Sequence, residues 1–143
     1  MWLHAIKENE VLMTSSLKKT TLFSSVPEKD YLSLLKGASQ PDGEKIAKIL
    51  KFKRQDVAAA TNIPQSSIRY DDKMPVELKE RLIEWAVALN LVAEYFDDAE
   101  KTMLWFEISN PLLGGISPKD MIKLGRFKKL RDFIQIALDE NKR

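Results

Sequence analysis

The chain has 143 residues, of which 44% are hydrophobic and 31% are charged, an ordinary globular composition that argues against extensive disorder. The formal net charge is only +2, so a nucleic-acid surface would need local clustering of basic side chains. There is no cysteine and a single histidine, His4, which excludes disulfides and a cysteine nucleophile and leaves little for a zinc site. No stretch approaches the ~20 apolar residues that cross a bilayer. Charged residues also stand where a signal peptide needs an apolar centre, so we expect a cytoplasmic protein.

The first 42 residues are predicted to form an arm with two short helices. Residues Trp2–Met13 have the apolar spacing of a short amphipathic helix, and the Ser/Thr-rich residues 14–25 indicate a linker. A second short helix is expected over Glu28–Ala38, ending near Gly37. Residues Ser39–Gly43 then favour a hinge.

Helical periodicity dominates from Glu44 onward, and no segment alternates with a period of two. The sequence therefore predicts an all-α fold, in which a helix-turn-helix module is followed by a small helical domain. The expected helices begin near Glu44, near Val57 and at Pro64, then run from about Val76 to Phe96, from Asp97 or Asp98 through Glu107, from Ser117 to Gly125, and onward from Phe127.

Residues 53–70, KRQDVAAATNIPQSSIRY, have the pattern of a helix-turn-helix. Such a module needs a small residue where its helices touch and a turn residue that tolerates positive φ, and Ala58 and Asn62 meet these requirements. Apolar residues that fill the angle between the helices are also present: Val57, Ile63 and Ile68. The segment resembles the helix-turn-helix of Xre-type regulators, with Asn62 at a position where that family usually has glycine.

If this module binds DNA as its family does, the helix from Pro64 enters the major groove. Arginine can pair there with guanine and glutamine with adenine, while nearby lysines neutralise phosphates. The predicted DNA-binding residues are Lys53, Arg54, Gln65, Ser66, Arg69 and Tyr70, with Lys45, Lys48 and Lys51 flanking the duplex. The alternative is a helical unit that packs without binding DNA, because Asp71 and Asp72 follow the recognition helix and would repel phosphate.

A second motif lies in residues 95–139, where Asn-Pro ends a helix, Gly-Gly permits a sharp reversal and Ser-Pro restarts a helix. The sequence thus predicts a tight, exposed connector between two helices. Its ordered elements are Trp105, Asn110-Pro111-x-Leu113-Gly114-Gly115, Ser117-Pro118, Gly125 and an apolar helix from Phe127. This set resembles the toxin-binding domain of the Xre/MbcA/ParS antitoxins, and the preceding residues 43–94 fit the helical region before that domain.

The resemblance implies three segments: an arm over residues 1–42, an Xre-like region with a long connecting helix over 43–94, and a toxin-binding domain over 95–143. It further implies the antitoxin of a type II toxin–antitoxin system, which neutralises a cognate RES-type, NAD-consuming toxin and autoregulates its operon by binding operator DNA. The expected toxin-binding residues are Asn110, Leu112, Gly114, Gly115, Ile116, Lys123, Arg126 and Lys128.

Two of these residues, Leu112 and Ile116, are apolar within a polar turn and are therefore the candidate anchors for a partner. Ile116 also occupies a position at which a polar or basic residue is expected from the family. The alternative is that both side chains fold back onto the helical core.

Charge and aromatic content both point to association. Residues 119–143 hold eight basic and four acidic side chains, whereas residues 76–110 hold three basic and eight acidic ones. Such polarity steers binding to the toxin or to a second copy of the chain. A homodimer is expected, because helix-turn-helix proteins read paired half-sites and because aromatic residues exceed what two small modules need. The aromatic residues in question are Trp85, Trp105, Phe106 and Phe133.

An enzyme is disfavoured, and no cofactor or metal is expected, because the sequence has no Gly-rich phosphate loop and no acid pair beside a base. Two other hypotheses remain at this point. One is a stand-alone helix-turn-helix regulator whose C-terminal helices only dimerise, and the other is a toxin-binding module that has lost DNA binding. A toxin-like gene beside this one would favour the antitoxin hypothesis over the regulator.

Overall fold

The computed structural model describes residues 27–37 and 40–141, and this part of the chain contains six α-helices and no strand. The all-α prediction is therefore confirmed. The predicted N-terminal helix over Trp2–Met13 and the linker over 14–25 lie outside the described residues. The helices are α1 (Gly43–Ile49), α2 (Arg54–Thr61), α3 (Val76–Phe96), α4 (Ala99–Glu107), α5 (Pro118–Lys123) and α6 (Phe127–Glu140), with 3-10 turns at Gln65–Ser67 and Pro111–Leu113.

Helix α3 is the centre of the fold and has the predicted bounds. Every residue from Leu82 to Ala93 is buried, and a helix buried on all sides must be surrounded by protein. Helices α1, α4 and α6 pack against it. Its Trp85 is 2% exposed and meets the Phe52 ring edge to face, with 5.8 Å between the ring centroids. Although α3 has 21 residues, no helix in the described ranges is long and apolar enough to cross a membrane.

One hydrophobic core joins the two predicted helical segments. Its buried side chains include Ile46 and Leu50 near the start, and Ile122 of α5 and Leu130 of α6 near the end. Helix α2 also packs directly against α5. The predicted segment boundary after residue 94 lies within α3, which contacts helices on both sides of that boundary.

The predicted helix starts in the C-terminal part are confirmed by their capping contacts. The Asp98 carboxylate accepts a hydrogen bond from the Lys101 backbone N–H at 3.0 Å. The Ser117 hydroxyl accepts one from the Asp120 backbone N–H at 3.2 Å, and Pro118 occupies the first helical position. These side chains satisfy N–H groups that a helix start leaves unpaired, which is why the sequence located both starts.

The predicted helix over Glu28–Ala38 is wrong, because the described residues of this stretch form turns. The Asp30 carboxylate accepts hydrogen bonds from the backbone N–H groups of Leu34 and Leu35, at 2.8 and 2.9 Å. The same carboxylate accepts a bond from the side-chain amide of the fully buried Asn90 on α3, at 2.9 Å. A side-chain acceptor thus replaces the carbonyls of a helical ladder, and the long-range bond to α3 fixes that alternative.

Candidate partner-binding surfaces

The turn predicted for the helix-turn-helix is present at the end of α2. Asn62 has φ 59°, in the left-handed region that the sequence assigned to it. The apolar residues Val57, Ile63 and Ile68 are all buried in the core. The local features that suggested the module therefore serve to pack α2 and the following turn.

The helix predicted to begin at Pro64 is wrong. Only the single 3-10 turn Gln65–Ser67 follows Pro64, and Ile68 is extended with ψ 108°. Ile68 is also completely buried, so the chain must leave the helical path at this point to place that side chain in the core. Consequently no recognition helix presents Gln65 or Ser66 to a major groove.

The two remaining residues of the predicted base-reading set are held by intramolecular contacts. The Arg69 guanidinium donates two hydrogen bonds to the exposed Asp71 carboxylate, at 2.7 and 2.5 Å. This pairing raises the pKa of Arg69 and lowers that of Asp71 to about 2. Tyr70 is half-buried with its ring against Gly43, and burial raises its pKa. Asp71 was expected to repel phosphate, and in the structure it neutralises the arginine beside it.

The connector between α4 and α5 is closed by backbone hydrogen bonds. The Asn110 N–H donates to the Ile116 carbonyl and the Gly115 N–H to the Asn110 carbonyl, both at 3.0 Å. The Asn110 side chain accepts a further bond from the Leu112 N–H at 2.9 Å. Gly114 and Gly115 have φ 81° and 85°, the positive values that the Gly-Gly pair predicts.

This geometry separates the two candidate anchors. Leu112 stands at the tip of the connector with 78% of its surface exposed. Ile116 is half-buried and packs against the core. The expected exposure is therefore found for Leu112. Ile116 instead packs back onto the helical core, which is the alternative that the sequence left open.

An apolar groove of about 340 Å³ lies beside the connector. Trp105 of α4 and Phe133 of α6 stack across it, with 6.4 Å between centroids and 15° between ring planes. Tyr95, at the end of α3, is 53% exposed on its rim. The lining residues are Val92, Tyr95, Phe96, Trp105, Asn110, Leu112, Phe133, Ile134, Ala137, Leu138 and Asn141.

Sequence patterns alone did not find this groove, because it forms only where three helices meet. Tyr95 was the available signal, since it is an aromatic residue off the apolar stripe of α3 that includes Phe96. Two of the aromatic residues behind the dimer expectation, Trp85 and Phe106, are each 2% exposed and fill the core of this chain. They offer no surface to a second copy.

Comparison with known proteins identifies no relative of this chain. No family model matches this chain, and neither a curated protein nor a solved structure matches it. Within residues 27–37 and 40–141, no group of three or more histidine, cysteine, aspartate or glutamate side chains is placed to hold a metal ion.

The basic members of the predicted toxin-binding set are not beside the groove. The Lys123 ammonium lies 3.7 Å from the Asp56 carboxylate of α2. Arg126 and Lys128 are exposed around the start of α6. Of the predicted set, only Asn110 and Leu112 line the groove.

A second, basic pocket of about 410 Å³ lies where α1 meets α2. It brings Lys53 and Arg54, which the sequence predicts to contact phosphates, together with Lys48 and Lys51, which were expected to flank the duplex. The Lys51 ammonium also pairs with the Glu107 carboxylate of α4 at 2.5 Å, and this contact lowers the pKa of Glu107. The lining residues are Glu44, Ala47, Lys48, Lys51, Phe52, Lys53, Arg54 and Tyr70.

Proposed function

We propose that this chain is the antitoxin of a type II toxin–antitoxin system and that it binds its toxin at the connector and the adjoining groove. The observation that supports this most strongly is Leu112, which is 78% exposed on a hydrogen-bonded connector beside an aromatic groove. Contiguous exposed apolar surface, such as Leu112 forms with the aromatic groove that it lines, is typical of a protein-binding site.

The shape of this surface suits a tight protein complex. The connector loses little conformational freedom on binding because its backbone is already fixed by hydrogen bonds. The stacked pair of Trp105 and Phe133 offers the large rigid side chains that contribute most to binding at interfaces. Leu104 of α4 and Ile108 just after it are both more than half exposed, and their spacing of four residues places them on one face of the helix.

The proposed toxin class, a RES-type enzyme that consumes NAD, follows from the sequence resemblance. The charge of this region is compatible with it. Residues 76–110 carry eight acidic and three basic side chains, and a toxin pocket that holds dinucleotide phosphates is electropositive or polar. Acidic side chains in this range, such as the exposed Asp97 and Asp98 between α3 and α4, would favour association with such a toxin.

Co-expression with the product of the neighbouring gene tests the proposal in cells. The wild-type chain is expected to prevent growth arrest, and Leu112→Asp is expected to lose that protection. Ile136→Asp is the matched control, because Ile136 is 59% exposed on α6 and does not line the groove. Truncation before Asn110 is unsuitable, since it would remove the core residues Ile122 and Leu130. Full protection by Leu112→Asp together with unchanged co-purification would refute the proposed interface.

Affinity measurements give the same test in solution. Loss of a central apolar anchor typically costs at least 2 kcal/mol, which corresponds to roughly 30-fold weaker binding. Isothermal titration calorimetry with the purified partner should show this loss of affinity for Leu112→Asp and little change in affinity for Ile136→Asp. Equal affinities for the two variants would place the interface elsewhere.

The alternative function, a stand-alone regulator that reads bases through a helix-turn-helix, receives less support. Its recognition helix is replaced by a 3-10 turn, and its principal base-reading arginine, Arg69, is paired with Asp71.

A further inference from the structure

The basic pocket holds cations that the rest of the described chain does not neutralise. Across residues 27–37 and 40–141, none of the ion pairs includes Lys48, Lys53 or Arg54. These three side chains share one pocket, in which Glu44 is the only acidic lining residue. Gathering like charges is unfavourable in the isolated protein and becomes favourable when an anion neutralises them.

The positive charge continues from this pocket onto α5. The Glu107 carboxylate is shared between Lys51 at 2.5 Å and Lys119 at 3.8 Å. The Asp56 carboxylate of α2 lies 3.7 Å from Lys123. We name this surface the basic stripe, and its cations are Lys48, Lys51, Lys53, Arg54, Lys119 and Lys123.

The basic stripe and the apolar groove lie on different sides of the molecule. Glu107 belongs to the stripe and Trp105 to the groove. Residues two positions apart in an α-helix point about 200° apart around its axis, so the side chains of Trp105 and Glu107 leave α4 in nearly opposite directions. A ligand on the stripe would therefore leave the groove accessible.

We propose that the basic stripe binds the phosphate backbone of nucleic acid without reading its base sequence. Its cations come from three helices and form an extended surface, which suits a chain of phosphates better than a single anion. Base readout is missing from the same region, because Arg69 is engaged by Asp71 and no recognition helix is present. The inference does not depend on the toxin-binding proposal, since it uses other residues and another side of α4.

The salt dependence of binding gives a quantitative expectation. Three unpaired cations in contact with duplex phosphates predict a slope of about −2.7 in log affinity against log salt. Affinity should then fall roughly 40-fold between 50 and 200 mM salt. A single strand, with a slope of about −0.7 per contact, should show a smaller fall of roughly 20-fold.

The experiment is fluorescence anisotropy with the full chain and two labelled probes, a 20-base-pair duplex of arbitrary sequence and one of its single strands. The double variant Lys48→Gln/Arg54→Gln should reduce the duplex slope to about −0.9 and bind much more weakly at 50 mM salt. The control is Lys101→Gln together with Lys79→Gln, which removes the same charge from exposed or half-buried positions outside the stripe. Circular dichroism establishes that all variants are folded.

A gain-of-binding variant separates a role in binding from a role in folding. Glu107→Gln releases Lys51 and Lys119 from their shared carboxylate and should strengthen duplex binding, with a slope steeper by about 0.9 for each lysine released. Arg69→Ala should leave the affinity unchanged for every duplex sequence.

Several results would overturn the inference. The first is the absence of salt-dependent binding to either probe by the wild-type chain, and the second is equal binding by the double variant and its control. Preference for one duplex sequence that disappears in Arg69→Ala would show base readout instead. Displacement of the probe by ATP at an equal concentration of phosphate would show a site for a single nucleotide.

Discussion

Replacing Gly43 by alanine tests how tightly the start of α1 packs against Tyr70 and Leu82. Gly43 is buried at the first position of α1. A Cβ at this position would lie 2.3 Å from Cδ1 of Tyr70 and 2.8 Å from Cδ1 of Leu82. The first contact is with a rigid ring and the second with a side chain that is completely buried, so neither neighbour can withdraw freely.

The expected loss of stability follows from two opposing effects. Inserting a methyl group into a packed interior costs about 1–3 kcal/mol. Alanine recovers at most about 1 kcal/mol relative to glycine within a helix, and less at the first position, where the backbone N–H is not part of the ladder. Because the approach to the Tyr70 ring is so short, we expect a net destabilisation of about 2 kcal/mol, which lowers Tm by about 6 °C.

Urea unfolding followed by circular dichroism measures this loss, and a double-mutant cycle assigns it. In a Tyr70→Ala background the ring is gone, so Gly43→Ala should cost at least about 1 kcal/mol less than in the wild type. An unchanged or increased stability of Gly43→Ala, or an equal cost in both backgrounds, would refute the reasoning. The same cycle reports on the basic pocket, because Tyr70 forms part of its lining.

Four further outcomes are expected. Asn62→Gly should stabilise the fold slightly and Asn62→Ala should destabilise it by about 1 kcal/mol in urea unfolding, because φ is 59° there. Ser117→Ala should cost about 1 kcal/mol in urea unfolding by loss of its helix cap, and Ser117→Gly should cost less, because glycine is tolerated at a cap and adds no buried charge. Burial raises the pKa of Glu84 against the opposing effect of Arg81, so its contribution favours folding at low pH and is lost as pH rises above the ordinary glutamate value of about 4.3. Urea midpoints should therefore fall less between pH 4 and pH 7 in Glu84→Gln than in the wild type, and an equal fall would contradict this assignment. Of the grounds for a homodimer, the opposite charge balance of residues 76–110 and 119–143 remains, so light scattering at micromolar concentration should give a dimer mass, and a monomer mass would contradict that expectation.

The elements that the sequence predicted well are those specified by local chemistry. A Ser-Pro start, an Asp cap and a long apolar repeat located α5, α4 and α3, because each signal acts within a few residues. The connector was predicted for the same reason, since Asn110 and the glycines that follow determine its backbone directly.

Contacts with distant residues explain why the two helices predicted over Glu28–Ala38 and from Pro64 do not form. Asn90 on α3 holds the turn that replaces the predicted helix over Glu28–Ala38, although it is 60 residues from its partner Asp30. Burial of Ile68 in the shared core straightens the chain where the recognition helix was expected. Local propensity is a weak determinant in such places, because tertiary contacts contribute more free energy.

In the candidate sites, too, features set by neighbouring residues were predicted, whereas features that depend on helix packing were not. The exposure of Leu112 followed from the turn in which it lies, whereas the groove beside it depends on how α3, α4 and α6 meet. Likewise, the basic residues were visible in the sequence, but the pairing of Lys123 with Asp56 required the contact between α2 and α5.

The burial of every residue from Leu82 to Ala93 in α3 affects how the protein is degraded in a cell. The central amides of α3 are expected to exchange with solvent only when α1, α4 and α6 separate from it, since these helices pack against its buried residues. A protease that captures the opened chain would therefore abolish the groove and the basic stripe in the same event. The lifetimes of the two surfaces in a cell would then be identical, and neither could persist as a fragment.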